Sequence, residues 1–270
     1  MYEITPLDKQ LNKQNSTTIA KPPFSHYIVG GKGSGKTTML LNLLMKPEFY
    51  KGVFNKVFWV SPTNKLDAKL DTLREANGIT TPNYKLHRLL QKKNSLLTDP
   101  IQNPKKLPEH IVKGILTNDA FLDNLDLDWL QELVKTQRYV IENYGKSISN
   151  KVLLILDDSI SSKIIKTPTF RNFLLNSRHY NISTIFVSQS YMLLDRSIRI
   201  NNSFISIFEV PNVENLKQVY NENPAGLDFN TWKEVYDLCT QQDFGFFSIN
   251  YQNPRAYRLI RNFEEFLLLE

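Results

Sequence analysis

The chain opens on a polar stretch and then alternates short apolar runs with longer amphipathic ones. Residues 1–23 are dominated by Asn, Gln, Ser and Thr and close on Pro22-Pro23, which predicts an arm, disordered or lying over a neighbour, ahead of the packed elements. His26-Tyr27-Ile28-Val29 is a β-rich run followed at once by glycine. Thr37 to Lys46 gathers Leu40, Leu41, Leu43 and Leu44 on one broad face, a helix ended by Pro47. Lys56 to Val60 reads as a second strand, broken by Ser61-Pro62. Lys151 to Leu156 is an unbroken apolar run, the mark of a strand covered on both faces. Ile182–Val187 and Phe204–Val210 read as further strands. Between Asn64 and Asn150 the pattern weakens. Lys65–Asn77 reads as a helix stopped by Gly78, Pro100, Pro104 and Pro108 mark a loop-rich stretch, and Leu125–Tyr144 returns to helical spacing. Leu216–Tyr220 and Phe229–Thr240 read as helices, and Phe244–Tyr251 with Ala256–Arg261 as a closing strand pair around Asn253-Pro254. No internal repeat is visible.

Strands separated by helical stretches predict an α/β domain, a parallel sheet with helices on both faces. Ligands of such sheets gather at the carboxyl ends of the strands, so the residues following each strand are the ones to inspect. Composition narrows the class. A length of 270 residues suits one core with additions. The single cysteine, Cys239, excludes an intrachain disulfide and any Cys-based zinc site. No run approaches the ~20 apolar residues that span a bilayer. Met1–Ala20 carries Glu3 and Asp8 and lacks the apolar centre of a secretory signal. A soluble protein of a reducing compartment is therefore expected. The excess of 33 basic over 27 acidic residues, +6 in all, permits a polyanionic partner without demanding one.

After the first strand stands Gly30-Gly31-Lys32-Gly33-Ser34-Gly35-Lys36-Thr37, the pattern G-x-x-x-x-G-K-T between a strand and a helix. Glycines let the backbone fold into a nest of N–H groups facing a phosphate. The helix N-terminus adds partial positive charge. Lys36 is placed to reach the β and γ phosphates and the Thr37 hydroxyl to coordinate Mg²⁺. Lys32 adds a second charge or faces solvent. The nucleotide-binding run is thus Gly30, Gly31, Lys32, Gly33, Ser34, Gly35, Lys36, Thr37 and Thr38.

The strand Lys151–Leu156 delivers Asp157-Asp158 to the carboxyl edge, the Walker-B arrangement. Asp157 is the candidate metal residue beside Thr37. Asp158 stands where a general base for the attacking water is needed, although glutamate is commoner there and Asp is one methylene shorter. The bland reading of the pair is a helix cap, since Ser159, Ser161 and Ser162 follow. The next strand ends in Ser188-Gln189, which places Gln189 to sense phosphate or orient water. Arg178 precedes that strand, and Arg196 and Arg199 follow it. Each is a candidate for reaching a neighbour's γ-phosphate, against the plainer readings of surface residue or structural ion pair.

These residues together carry a resemblance. Gly30–Thr37, the strand ending Asp157-Asp158, and Arg178-His179-Tyr180-Asn181-Ile182-Ser183-Thr184-Ile185-Phe186-Val187-Ser188-Gln189-Ser190 are similar to the FtsK–HerA superfamily of P-loop ATPases. Within it they look most like the poxvirus-type genome-packaging ATPases of large DNA viruses and virophages. Ser197-Ile198-Arg199-Ile200-Asn201 extends the likeness, which covers Phe24–Val210 in patches. The resemblance implies a RecA-like core of strand order 5-1-4-3-2 and ATP and Mg²⁺ as cofactors. It also implies a homo-oligomeric ring, hexamer or pentamer, that pumps double-stranded DNA into a capsid at a portal vertex. The expected location is the host cytoplasm or the virion. The expected organisation is the arm 1–23 and one ATPase domain over 24–270. That domain would carry an insertion at 64–150 and C-terminal helices and a strand pair at 211–270.

A motor that moves along every sequence must grip phosphates without reading bases, and lysine and arginine suffice. Tyr84–Lys93, Lys105-Lys106, and the group Arg255, Arg258 and Arg261 are candidates, each equally readable as a solvated face. Asp119, Asp123, Asp126 and Asp128 form a stretch unsuited to DNA. Two rival readings stand beside the motor. One is a nucleotide-dependent switch or scaffold that recruits capsid or DNA without translocating. The other is a nucleotide kinase, for which no arginine-rich lid is visible.

Overall fold

The computed structural model describes residues 16–62, 70–71, 80, 82–86, 88–89, 121–158 and 163–268. Most of the expected helix Lys65–Asn77, the prolines at 100, 104 and 108, Lys92-Lys93, Lys105-Lys106, Asp119 and the serines after Asp158 lie outside these residues. In chain order the elements are β1 (Ser25–Val29), α1 (Lys36–Met45), β2 (Lys56–Val60), β3 (Phe121–Leu122), α2 (Leu127–Tyr144), β4 (Val152–Asp157), α3 (Pro168–Asn176) and β5 (Ile182–Ser188). They continue with a single turn α4 (Arg196–Arg199), β6 (Phe204–Ile207), α5 (Val213–Glu222), α6 (Phe229–Thr240), β7 (Phe247–Asn250), β8 (Leu259–Arg261) and β9 (Glu265–Phe266). The mostly parallel α/β architecture expected from the sequence is the one observed.

Several boundaries have local causes. Helix α5 is longer than its apolar positions suggest because the Asn212 side chain accepts from the N–H groups of Glu214 and Asn215. Asp126 caps α2 through the N–H of Asp128. Helix α3 has little apolar periodicity, yet Thr167 caps it and Pro168 opens it. The expected strand from Phe244 starts only at Phe247, because Phe244 sits at φ 64 and breaks the extended chain.

Two compact units divide the chain: residues 1–40, 156–161 and 184–270, and residues 41–155 and 162–183. In the first, β1 is flanked by parallel partners, with Val29 opposite Ser188 of β5 and Ile207 of β6. Antiparallel strands β7, β8 and β9 extend the sheet from β6. Tyr27, Ile28, Phe186, Phe204, Trp232 and Phe247 are buried here. A polar thread crosses this apolar interior. His26 Nε2 lies 2.9 Å from Ser206 Oγ, which lies 2.8 Å from Ser248 Oγ. Burial lowers the His26 imidazole to about 3, so it is neutral across the physiological range. The described end of the N-terminal arm is fastened to its own chain. Asn250 and Asn253 donate to Thr17 O at 3.0 and 2.9 Å, and Lys21 exchanges two hydrogen bonds with the Gln252 carboxamide.

In the second unit the strand order is β3-β2-β4, with β2 and β3 parallel. Trp129 of α2 meets Phe58 of β2 edge-on at 5.0 Å. The buried Gln137 carboxamide donates to Asn150 O and Tyr180 O at 2.7 and 2.8 Å, which ties α2 to the segments entering β4 and β5.

Candidate nucleotide site

The site lies in the first unit. Pairing of β1 with β5 and β6 holds the chain rigidly up to Val29, and Gly30 N–H continues the ladder by donating to Ser188 O at 3.1 Å. The loop then leaves the sheet at a place with no room for a side chain. A Cβ on Gly30 would stand 2.5 Å from Ser34 Oγ and 2.7 Å from Phe208 Cβ. Gly33 and Gly35 take φ values of 82° and 101°, which L side chains rarely adopt. Gly35 O accepts the Met39 N–H at 2.8 Å and so starts α1. Ser34 Oγ is buried and has no hydrogen-bonding partner among the described residues.

Lys36 is 9% exposed, and its ammonium donates to Gly30 O and Gly31 O, both at 2.7 Å. Burial lowers its pKa below the lysine range, while the negative charges of Asp158 and then Asp157 pull it back up. Asp157 ends β4. Asp158 follows at φ 49, a left-handed conformation that Asp tolerates better than bulkier residues. Its Oδ2 accepts from Gln189 Nε2 at 3.3 Å. Lys36, Asp158 and Gln189, read separately from the ends of different strands, therefore meet around one loop, with Asp157 charge-coupled to Lys36. Thr37 is half-buried at the start of α1, and Lys32 and Thr38 are exposed.

A cavity of about 630 Å³ opens beside the loop, lined by residues 31–34, by Phe208 and Glu209 after β6, and by residues 240–245 between α6 and β7. Phe244, 70% exposed, lies against the loop: a Cβ on Gly35 would stand 3.2 Å from its ring. In the sequence Phe244 falls within the expected strand Phe244–Tyr251. Its only visible signal was the neighbouring glycine.

The three arginines fall into different settings. Arg178 is exposed in the single turn Ser177–Tyr180 of the second unit. Arg196 keeps its side chain 75% exposed, with Nε 3.5 Å from Glu222 Oε1. Arg199 departs from the expectation of a residue that reaches a neighbour. It is 5% exposed and forks onto Glu222 through Nε at 2.8 Å and Nη2 at 2.7 Å, while Nη1 donates to Leu194 O at 2.6 Å. Its guanidinium also lies 4.8 Å from the centre of the Tyr191 ring, and the Tyr191 hydroxyl donates to Glu222 at 2.7 Å. Burial alone would raise the Glu222 carboxyl, but the hydrogen bonds from Arg199, Tyr191 and Gln218 hold it at about 2. Glu222 was invisible in the sequence, as one acid among many on an amphipathic helix.

The family model described as poxvirus A32 protein matches residues 89–224, half of the chain. The chain belongs to the poxvirus A32 protein family. The stretch shared with the A32 family begins after the glycine-rich loop and contains Asp157, Asp158, Gln189, all three arginines and Glu222. The likeness to poxvirus-type packaging ATPases read from the motifs is thereby borne out. A relative, the uncharacterized protein L437 of Acanthamoeba polyphaga mimivirus, is 28% identical over 127 residues, 46% of this chain and 44% of that one. The match thus spans less than half of the relative's length. Among solved structures, the genome packaging NTPase B204 of Sulfolobus turreted icosahedral virus 2 shares the fold at low identity. Its complex with AMPPCP superposes with a TM-score of 0.52 at 15% identity, covering 86% of this chain and 94% of that chain. Its complex with ATP-gammaS gives 0.51 at 14%, over 86% and 94%.

Proposed function

We propose that this chain hydrolyses ATP to drive double-stranded DNA into a viral capsid. The observation that carries the reading is the meeting of Lys36, Asp158 and Gln189 at the glycine-rich loop, with Asp157 charge-coupled to Lys36. Membership of the A32 family and the fold shared with a genome packaging NTPase solved with ATP analogues support it. In this reading the loop N–H groups and Lys36 hold the β and γ phosphates, and the Ser34 hydroxyl finds a partner there. Gln189 orients a water, Asp158 accepts its proton, the water oxygen bonds to the γ phosphorus, and the bond from that phosphorus to the bridging oxygen of ADP breaks. Phe244 offers its exposed ring to the base.

Mg²⁺ fits the donors present. The Thr37 hydroxyl and the Asp157 carboxylate are hard oxygen ligands. Among the described residues no group of three or more His, Cys, Asp or Glu is placed to enclose a metal. An ion here takes its remaining ligands from phosphate and water, the habit of Mg²⁺. When bound it neutralises phosphate charge.

The partners in this reading are duplex DNA without sequence preference, capsid or portal-vertex proteins, and further copies in a hexameric or pentameric ring. Arg196 and Arg178 are exposed enough to reach a neighbouring copy, whereas Arg199 is held by Glu222. Assembly in the host cytoplasm or the virion follows from the function. Among the described residues no helix is long and apolar enough to cross a membrane. The switch reading draws on Asp158, whose short side chain is already engaged by Gln189.

The test is ATP turnover with and without linear duplex DNA at two salt concentrations. The motor predicts stimulation by DNA that weakens as salt rises. Intact nucleotide binding with slow, DNA-indifferent turnover would leave the switch. In the same assay Asp158→Asn should keep nucleotide affinity and lower kcat by about 10²–10⁴-fold, the range of a lost general base. An unchanged kcat would remove Asp158 from that role. Phe244→Ala should raise the KM for ATP about tenfold, since stacking of a base on an aromatic ring contributes roughly 1–3 kcal/mol. An unaltered KM would mean that the base sits elsewhere.

A further inference from the structure

A second cavity, of about 620 Å³, lies in the second unit and shares no residue with the nucleotide site. It collects residues from just before three strands, Asn55 ahead of β2, Lys151 ahead of β4 and Asn181 ahead of β5. It is thus at amino ends of strands, whereas the nucleotide loop follows a carboxyl end. Lys85, Lys146 and Lys151 line it, all exposed, and among the described residues none that lines it is acidic.

The lysines stand on a built frame. Asn83 donates to Ile148 O at 2.8 Å and to Asn150 Oδ1 at 3.0 Å, and its Oδ1 accepts the Leu86 N–H at 3.1 Å. This fixes the segment carrying Tyr84 and Lys85 against the turn carrying Lys146. Asn181 donates to Ser149 Oγ at 3.1 Å, and Asn55 Oδ1 accepts the Lys151 N–H at 2.7 Å. Lys146 Nζ donates to the backbone carbonyl of Arg178 at 2.7 Å. Asparagine side chains thus satisfy the frame, and three exposed lysines share one cavity. Like charges without a counter-charge repel one another, and an anion relieves that repulsion.

We propose that this pocket grips the phosphate backbone of double-stranded DNA. Lysine ammoniums are point charges that hold phosphates without reading bases, which suits a chain that must move along any sequence. The exposed Tyr84 adds a hydroxyl able to donate to a phosphate oxygen. The cavity lacks the glycine nest that encloses a terminal triphosphate, so repeated diesters fit it better than a free nucleotide. The choice of DNA as ligand rests on the packaging reading.

The experiment measures binding of the full chain to a labelled linear duplex over a range of KCl, with nucleotide affinity measured separately without DNA. The triple variant Lys85→Gln, Lys146→Gln, Lys151→Gln should bind the duplex more weakly. Its slope of log affinity against log salt should be shallower by about 2.7, three contacts at about 0.9 each. Its nucleotide affinity should equal that of the wild type. The matching triple arginine variant should bind the duplex as the wild type does. A glutamine triple with unchanged affinity and slope overturns the proposal and leaves the packaging reading intact. A wild type that binds no duplex at any salt overturns both. If the glutamine triple also loses nucleotide binding, the arginine triple decides. Recovery of both activities supports the pocket, and recovery of nucleotide binding alone overturns it.

Discussion

Lys36→Ala is expected to lower ATP turnover by at least about 10²–10³-fold, the loss typical of removing one aligned donor from developing oxyanion charge. The reason lies in how the ammonium is kept. It is nearly buried, it is held by two loop carbonyls at 2.7 Å, and the negative charges of Asp158 and Asp157 oppose the lowering that burial causes. A charge so placed is already oriented and already partly desolvated when a phosphate arrives, so little reorganisation opposes its action. Alanine removes the charge and leaves Asp157 and Asp158 near an anionic ligand with one cation fewer to offset them. Helix α1 itself should tolerate the change, since alanine is the best helix former. Phosphate release and thermal melting should therefore separate: turnover lost, melting without nucleotide nearly unchanged, and stabilisation by an ATP analogue reduced. Turnover within a few-fold of the wild type would show that Lys36 does not act on the phosphates.

Arg199→Ala should act on the fold first. The Glu222 side chain is 2% exposed and depends on the guanidinium for two of its hydrogen bonds. Removing one partner of a buried pair strands the other charge, and such changes cost about 3–5 kcal/mol. A double variant, Arg199→Leu with Glu222→Leu, should be less destabilised than the single one, because neither charge is then left alone. Acid gives a further sign. A carboxyl held at about 2 in the folded chain against 4.5 when free contributes stability that is complete above 4.5 and is lost as the pH falls toward 2. The wild type should weaken through that window, and the alanine variant should lack this loss. Urea melts at pH 7 and between pH 5 and 2.5 would measure both. An arginine that acted on a neighbour's phosphate would behave otherwise, folding as the wild type and losing only turnover.

The contrast between these two residues explains what was legible in the sequence. Lys36 sits in a local pattern: a strand, a glycine turn and a helix within a dozen residues, each recognisable by its own geometry. Asp157 and Gln189 were legible for the same reason, since each ends an apolar run and strand ends are where a parallel sheet presents side chains. The strands themselves showed because burial on both faces demands continuous apolar residues. Glu222 carries no local sign. It becomes the partner of Arg199 only once α5 is packed beside α4, and 23 residues separate the two. Phe244 was misread because an aromatic residue beside two further phenylalanines looks like strand until its positive φ is seen. Strands β3 and β9 are two residues each, too short for any period to register. The amide clamps on Thr17 and Lys21 join residues more than 230 positions apart and could not be inferred from an arm of ordinary polar composition.

The shape of the glycine-rich loop also sets how this stretch can drift over generations. At residue 30 any side chain collides with Phe208 Cβ, an atom fixed to its own backbone, and at residues 33 and 35 the main chain itself is unsuited to L residues. Residue 31 has nothing among the described residues within 4 Å of a would-be Cβ and no such backbone constraint. Single-nucleotide changes are thus filtered unevenly along the six consecutive codons 30–35, and the variety that accumulates there should collect at residues 31 and 32.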